Sequence, residues 1–409
     1  MSFSKVKNLI LPKHFIKTNL IKSLQSSSNA PNNYLYVTPK RNFAIPLALS
    51  KPFTHNNQME KVVGECNEVF PEFMGGVREL SVYAEVPEVL DRLSAAIDYT
   101  VPHGKLIRTI RIMTDYKRIT DPEDQTPEKI HKIKMLCWFT ELIHSAVLIL
   151  DDIMDKSNIR RGKLAYHKSP GVGEEAVNDV YLMELYSFHV LNKYFHNHPS
   201  YETLLRVGLR NMFFSGLGQG YDSTFSSCNK TYNFKHFNAE RYFTLAKYKT
   251  TFGSLTLPYE LTLTAANLYS KQKYQAVQHI MVQLGLFFQV LNDFKDLFRN
   301  QGEVISRTDQ PAIATDISKG QVTWFAIKVL ELGNDRQKRT FMKNYGRNDP
   351  ESIEAVYRIY EEMHLDEMLM DYEESSFLWL QNEIRKIDNG LPHEIFHDYV
   401  ETLYKKRPQ

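Results

Sequence analysis

Apolar residues recur every three to four positions along several stretches of this chain, which is the spacing of an amphipathic α-helix. The stretches with this spacing are 132–150, 181–194, 201–217, 271–298 and 321–332. Two further helix-like stretches are 350–363, with Asp349 as its N-cap, and 373–387. No stretch of alternating polar and apolar residues competes, and no repeat with a fixed period of twenty to fifty residues is present. The pattern therefore predicts an all-α fold.

Polar segments and composition narrow the class of protein. Loops are expected at 169–173, 228–233 and 299–315. The 409 residues, 43% of them hydrophobic, are enough for a sizeable core, and the formal charge of +2 argues against a dedicated nucleic-acid-binding protein. No apolar run reaches the length of a membrane span, so no transmembrane segment is expected. Three cysteines without CxxC spacing indicate neither a disulfide framework nor a zinc site, and favour a reducing compartment.

The N-terminal segment differs in charge from the rest of the chain. Residues 1–59 contain eight Lys or Arg and no Asp or Glu. Apolar and basic residues share a possible short helix there, followed by a Ser/Asn/Pro-rich stretch, a pattern typical of an organelle transit peptide. We therefore expect 1–50 to be a mitochondrial transit peptide, or else a disordered basic tail of a cytoplasmic protein. We expect the catalytic domain to cover 58–409.

Two acidic clusters stand at the ends of apolar helical runs. Asp151, Asp152 and Asp155 follow the apolar residues 146–150. A spacing of four puts Asp151 and Asp155 on one helix face, and hard oxygen ligands that leave room for water and phosphate suit Mg²⁺. Taken alone, the cluster could equally be an ordinary charged helix end. The second cluster, Asn292, Asp293 and Asp296, could face the first across a helical bundle.

Basic residues complete this pattern. Lys105 and Arg108 stand one helical turn apart after a Pro/Gly start, a geometry suited to a phosphate at a helix N-terminus. Arg160, Arg161 and Lys249 supply further cations. Each of these alone is more often a surface charge than a ligand. Together with the apolar positions behind the acidic residues, they indicate a pocket for an apolar tail with a diphosphate head.

The order of these motifs resembles the short-chain isoprenyl diphosphate synthases of the farnesyl and geranyl type, especially insect members such as those of beetles. The matching residues run from about 60 to the basic end at 404–407: Lys105 and Arg108; 151–155 with 160–162; Gly218, Gln219 and Asp222; Lys249 and Thr250; Phe288 and Gln289 before Asn292; and 315–317 with Trp324. The resemblance implies an all-α prenyltransferase bundle with a central active-site cavity. It also implies a homodimer and up to three Mg²⁺ ions, with Mn²⁺ or Co²⁺ as alternatives.

The resemblance also implies a role for each candidate residue. The metal ligands would be Asp151, Asp152, Asp155, Asn292, Asp293 and Asp296. The allylic diphosphate would bind to Arg160, Lys249, Thr250 and Gln289, and isopentenyl diphosphate to Lys105, Arg108, His144 and Arg161. The residues that carry catalysis would be Asp151, Asp152, Asp155, Lys249 and Asp293. The reaction would join dimethylallyl or geranyl diphosphate to isopentenyl diphosphate, giving geranyl or farnesyl diphosphate.

Several positions depart from the family pattern. Asn292 replaces an aspartate that farnesyl synthases usually have, and Ala312 and Gln321 replace expected lysines. Ala146 and Val147 stand where farnesyl synthases have bulky aromatics before the first motif, which favours a farnesyl or longer product unless both residues are simply core. These departures also suit a terpene synthase that uses one prenyl diphosphate without isopentenyl diphosphate, or a helical subunit that has lost activity. The four isopentenyl diphosphate candidates and the intact first motif favour coupling.

Overall fold

A computed structural model describes residues 57–226, 234–297 and 315–404 of the chain. The predicted transit segment 1–50, the predicted loop 228–233 and all but the last residue of 299–315 lie outside the described residues, as do Ala312 and the basic end 405–409. The helices in chain order are α1 (Asn57–Asn67), α2 (Phe70–Arg78), α3 (Pro87–Thr100), α4 (Ile107–Ile119), α5 (Pro127–Met154), α6 (Ala176–Phe195), α7 (Tyr201–Ser226), α8 (Ala239–Leu245), a π-helix (Ala246–Thr256), α9 (Leu257–Ala265), α10 (Lys271–Leu297), α11 (Thr315–Lys319), α12 (Trp324–Leu332), α13 (Asp335–Asn344), α14 (Pro350–Glu362), α15 (Leu365–Ile384) and α16 (Glu394–Tyr404).

The predicted all-α fold is confirmed. Strand structure in the described residues is limited to one short antiparallel hairpin, β1 (Ile159–Arg160) and β2 (Lys163–Leu164). The predicted helices correspond to α5, α6, α7, α10, α12, α14 and α15. The expected start at Gln321 is wrong, because Thr323 caps α12 by accepting a hydrogen bond from the Ala326 N–H. The helix expected at 373–387 begins earlier, at Leu365, and ends at Ile384.

Local capping signals explain where α5 and α14 begin. Thr126 accepts a hydrogen bond from the Lys129 N–H at the start of α5, where Pro127 occupies the first turn. Asp349 accepts from the Ser352 N–H, so the N-cap predicted for α14 is confirmed. Such caps satisfy backbone donors that have no partner inside the helix. They fix the register of each helix and thus which face turns inward.

Two apolar clusters form the core. The N-terminal cluster surrounds α5 and includes Trp138, which is fully buried and donates from Nε1 to the Cys66 carbonyl at 2.9 Å. The C-terminal cluster surrounds α10, where the rings of Phe287 and Tyr404 stack with centroids 3.9 Å apart. The π-helix packs against both α7 and α10. The polar ends of α5 and α10 thus come together beside an element that joins the two clusters.

Helix α5 is the one helix of the described residues that is long and apolar enough to cross a membrane by length and composition. This differs from the expectation that no run reaches that length. In the folded chain, 72% of its most apolar 18-residue window is buried inside the protein. Its composition is therefore what a central core helix needs, since neighbouring helices cover it on most sides.

Candidate active site

The first acidic cluster lies at the C-terminal end of α5, as expected. The Asp155 N–H donates to the Asp151 carbonyl at 2.8 Å, so the two side chains lie one helical turn apart. Asp152 turns inward and is only 2% exposed. It binds Arg160, whose Nε donates to its two oxygens at 3.1 and 2.9 Å and whose Nη2 donates at 2.6 Å. Asp152 therefore orients a guanidinium that also reaches Asp151 Oδ2 at 3.1 Å.

A tight hairpin presents the two arginines on opposite sides. Arg161 and Gly162, the two residues between β1 and β2, have positive φ angles of 54° and 76°. Two positive φ angles are typical of a type I′ turn, which suits glycine at the second position. The turn sends Arg160 to the acidic cluster, while Arg161 Nη1 donates to the Thr100 carbonyl at 2.9 Å.

Lys249 lies at the centre of the acidic cluster. Its Nζ donates to Asp151 Oδ1 at 3.0 Å and to Asp222 Oδ2 at 2.5 Å. Burial opposes the positive charge, but the carboxylates of Asp222 and Asp151 more than offset this effect and raise the pKa of Lys249. Burial likewise raises the pKa of Asp151, yet Lys249 and Arg160 together hold it below its usual value. Lys249 and Asp151 are therefore a charged pair at neutral pH.

The next residue of the π-helix reaches the second acidic cluster. Thr250 Oγ1 donates to Gln289 Oε1 at 2.5 Å, and Gln289 Nε2 donates to Asp293 Oδ1 at 3.0 Å. Since consecutive residues, Lys249 and Thr250, contact α5 and α10, the two acidic helix ends face each other as the sequence predicted. The residues that resemble the family motifs are thus brought together by the fold.

The second cluster differs from the first in what its oxygens bind. Asp293 accepts from the Tyr242 hydroxyl at 2.6 Å and from the Trp324 N–H at 2.9 Å, and burial raises its pKa to about 7. Asp296 accepts from the Thr315 hydroxyl and from the Asp316 N–H. These donors belong to the folded core, so Asp296 anchors the start of α11 and Asp293 anchors the start of α12. Asn292 is exposed. For all three, metal binding stays a prediction.

Asp151 and Asp155 are the carboxylates best suited to a divalent cation. The side chains that bind them are long, those of Lys249, Arg160, Lys319 and Gln219, and can turn away to release the oxygens. Burial and the neighbouring Asp151 carboxylate raise the pKa of Asp155 more than the nearby lysines lower it, so a bound cation would stabilise its charged form. In the part of the chain that the structure describes, no group of three or more His, Cys, Asp or Glu side chains converges as a closed metal site. Two carboxylates that leave room for substrate phosphates suit Mg²⁺.

The four predicted isopentenyl diphosphate ligands lie around one region beside the first cluster. Burial lowers the pKa of His144 well below its usual value, and the charges of Arg108 and Arg161 lower it further, so His144 is neutral at pH 7. A Cβ on Gly104 would lie 2.9 Å from Arg161 Nη2, which places the Lys105 segment against Arg161. Lys105 lies in the loop before α4, which begins at Ile107, so its predicted position on the helix is wrong. Leu106, the residue before α4, has a left-handed φ of 47°, so the helix does not extend back to Lys105.

The two predicted chain-length residues occupy different surroundings. Ala146 is fully buried in the N-terminal apolar cluster. Val147 is half-buried and shares a helix face with His144 and Asp151, at spacings of three and four. Val147 is therefore the one of the two that lies on the face bearing the polar site.

Three residues without a role predicted from the sequence also lie in the site. Gln219 Nε2 donates to Asp151 Oδ1 at 3.2 Å, and Asp222 binds Lys249 as described. Lys319 Nζ lies 3.5 Å from Asp155 Oδ2. The sequence does contain a signal for Lys319, because this lysine follows Asp316 by three residues and stands close to Gln321, where a lysine was expected. Lys319 supplies a cation two residues before Gln321.

Comparisons with known proteins agree with this geometry. A family model described as polyprenyl synthetase matches residues 90–363. The chain is 42% identical to geranyl diphosphate synthase of Ips pini over 94% of its own length and 96% of that protein. It is 31% identical to farnesyl pyrophosphate synthase of Gallus gallus, over 87% of this chain and 94% of that one.

Solved structures agree as well. The fold is similar to that of T. brucei farnesyl diphosphate synthase complexed with risedronate, with a TM-score of 0.74 and 25% sequence identity. That match covers 85% of this chain and 100% of the other. The family model, the relatives and the paired acidic helix ends agree, and the chain belongs to the polyprenyl synthetase family.

Proposed function

We propose that this enzyme is a short-chain prenyltransferase that joins dimethylallyl diphosphate, and geranyl diphosphate, to isopentenyl diphosphate. The observation that carries the proposal is the division of the site into two charged halves. One half pairs acidic side chains with Lys249 and Arg160. The other half gathers Arg108, Arg161 and neutral His144, where two guanidiniums face the single carboxylate of Glu141 and leave positive charge for an anion.

The acidic half is proposed to bind the allylic diphosphate. Asp151 and Asp155 would hold divalent cations, with Mg²⁺ preferred and Mn²⁺ or Co²⁺ as alternatives, and Asn292 would contribute a neutral oxygen. Cations bound there would neutralise the charge that develops on the departing pyrophosphate. Lys249 and Arg160, released from the carboxylates, would then bind the phosphate oxygens. Thr250 and Gln289 would line the same side of the acidic half. The carbon–oxygen bond of the allylic substrate breaks in this half.

The basic half is proposed to hold isopentenyl diphosphate through Lys105, Arg108, His144 and Arg161. The double bond of this substrate attacks the allylic cation, so a carbon–carbon bond forms. The product loses one proton, which the released pyrophosphate accepts. Val147 lies on the helix face that the growing chain would follow, and its small side chain favours a farnesyl product over a strict stop at geranyl diphosphate.

The decisive experiment separates coupling from the terpene synthase alternative. The relatives described above are diphosphate synthases and give no support to a terpene synthase. The full chain is incubated with Mg²⁺ and either dimethylallyl plus isopentenyl diphosphate or geranyl diphosphate alone. We expect prenyl diphosphates only when isopentenyl diphosphate is present. Terpene hydrocarbons or alcohols from geranyl diphosphate alone, without phosphatase treatment, would overturn the proposal.

A homodimer is proposed from an exposed apolar surface. Val177, Tyr181 and Leu185 form a stripe along α6, and Leu209, Phe213 and Leu217 form one along the neighbouring α7. These six side chains are between 47 and 64% exposed, although each is large and apolar. Contiguous exposed apolar surface marks an interaction site, and the occupant proposed here is a second copy of the chain.

The dimer is tested by mass measurement in solution. We expect Phe213→Asp to shift the light-scattering mass toward a monomer, because the charge would be buried in the interface. Leu378→Asp on α15 is the matched control, since Leu378 is 58% exposed outside these stripes and should leave the mass unchanged. Equal masses for both variants and the wild type would contradict the proposal that these stripes form the dimer interface.

Mitochondrial targeting by residues 1–50 is proposed from the charge of that segment alone. Eight basic residues and no acidic residue among the first 59 suit import across an energised membrane. Fusion of residues 1–50 to a fluorescent reporter should direct the reporter to mitochondria. A diffuse cytosolic signal would favour the basic-tail alternative.

A further inference from the structure

The π-helix contacts a key residue of each substrate half. Near its start, Lys249 binds Asp151 and Asp222 of the acidic half. Toward its other end, Arg108 of the basic half donates from Nε to the Gly253 carbonyl at 3.2 Å and from Nη2 to Ser254 Oγ at 2.7 Å. One stretch of eleven residues, Ala246–Thr256, therefore touches the side chains proposed to bind the two diphosphates.

The register of the π-helix explains why the Gly253 carbonyl can accept from Arg108. In a π-helix each carbonyl pairs with the N–H five residues later. The Leu257 N–H follows this rule and binds the Phe252 carbonyl. The next carbonyl, that of Gly253, would need an N–H from residue 258, which is a proline and has none. A backbone carbonyl without a helical partner is thereby left for the guanidinium.

Arg108 needs such an anchor because the charges around it act in opposite directions. The Glu141 carboxylate attracts its guanidinium, whereas Arg161 carries the same charge and repels it. Without the two acceptors on the π-helix, the long flexible side chain would spread Arg108 over several rotamers. The carbonyl and the hydroxyl use two of its five N–H donors and hold the planar guanidinium in one orientation.

We propose that Ser254, together with the Gly253 carbonyl that Pro258 leaves unpaired, positions Arg108 for isopentenyl diphosphate. Ser254 is a positioning residue, since it acts through Arg108. The π-helix then sets the spacing between the two diphosphate subsites, because Lys249 and the Arg108 anchor belong to one rigid element. This inference rests on the proposed function, in which Arg108 is a ligand of isopentenyl diphosphate.

The test compares Michaelis constants for the two substrates. Ser254→Ala removes the acceptor for Nη2, and we expect the KM for isopentenyl diphosphate to rise about three- to tenfold, as for one lost hydrogen bond of typical net strength. The KM for the allylic diphosphate should stay within about twofold. Ser254→Thr keeps the hydroxyl and should restore the KM for isopentenyl diphosphate. The matched control is Ser94→Ala on α3, where the half-buried hydroxyl binds only the Leu90 carbonyl of its own helix.

A second variant tests the role of the carbonyl. Pro258→Ala supplies an N–H that can pair with the Gly253 carbonyl and compete with Arg108, so the KM for isopentenyl diphosphate should rise here too. An unchanged KM for isopentenyl diphosphate in Ser254→Ala, or an equal rise of both constants, would overturn the inference. If the wild type forms no product that depends on isopentenyl diphosphate, the proposed function fails instead.

Discussion

Gly218 offers the sharpest test of how the fold holds Lys249 in place. A Cβ added at Gly218 on α7 would lie 2.1 Å from the Lys249 nitrogen and 2.4 Å from the Tyr248 carbonyl carbon. Both are backbone atoms and cannot rotate away. On the other side of the π-helix, a Cβ at Gly285 on α10 would lie 2.0 Å from Thr251 Oγ1. The π-helix is therefore held between two helices that approach it closely only because glycine has no side chain.

The expected effect of Gly218→Ala follows from these distances. Relief of the contact requires the two backbones to separate by roughly 1 Å, and overpacking of this kind costs about 1–3 kcal/mol. The separation would also stretch the Lys249 contacts with Asp151 and Asp222, now 3.0 and 2.5 Å. A misplacement of about 1 Å in a catalytic group can cost about 10²-fold in rate. We therefore expect a lower free energy of unfolding together with a large fall in kcat.

The assay measures thermal unfolding and coupling of dimethylallyl to isopentenyl diphosphate on the same preparations. Gly64→Ala in α1 is the control, because nothing lies within 4 Å of the added Cβ. In that open helical position the substitution should raise the free energy of unfolding by about 0.5–1 kcal/mol. If Gly218→Ala is as stable and as active as Gly64→Ala, the close approach does not fix Lys249 and the reasoning is refuted.

Four further predictions concern the charges of the site. Asp152→Asn removes the carboxylate that orients Arg160, so the KM for the allylic diphosphate should rise in steady-state assays; an unchanged KM would contradict this role. Lys319→Gln leaves Asp155 without its cation and should weaken allylic binding by at most about 1 kcal/mol, since the pair is partly exposed; isothermal titration measures this loss, and a larger one would indicate direct phosphate contact. Asn292→Asp adds a carboxylate and should preserve or raise turnover with Mg²⁺; an unchanged dependence on Mg²⁺, Mn²⁺ and Co²⁺ would refute its position near a metal. Chelation of divalent cations should abolish product formation and added Mg²⁺ should restore it, whereas activity that persists in excess chelator would exclude the metal-assisted route.

The sequence was sufficient to predict the main features of the fold and of the first acidic cluster. Helical periodicity identified the long helices, and the spacing of four placed Asp151 and Asp155 on one face, because both depend on local geometry. The π-helix and the contacts of Gly218 could not be predicted, since they depend on how α7 and α10 approach a third helix. The fixed partners of Asp293 also come from α8 and α12, which are distant in sequence.

The positions that departed from the family pattern were the hardest to interpret from sequence. The expected lysine is absent at Gln321, yet Lys319 reaches Asp155 from a different position in the same segment. A substitution at one motif position therefore does not fix the total charge of the site. A nearby residue of the same segment can supply the missing cation.

The central claim is that a single site joins two diphosphate substrates. It is tested most directly with isopentenyl diphosphate carrying a labelled carbon, incubated with dimethylallyl diphosphate, Mg²⁺ and the full chain. We expect the label to appear in a C10 or C15 prenyl diphosphate, with one or two labelled units per product molecule. Consumption of an allylic diphosphate without any label in the product would contradict it.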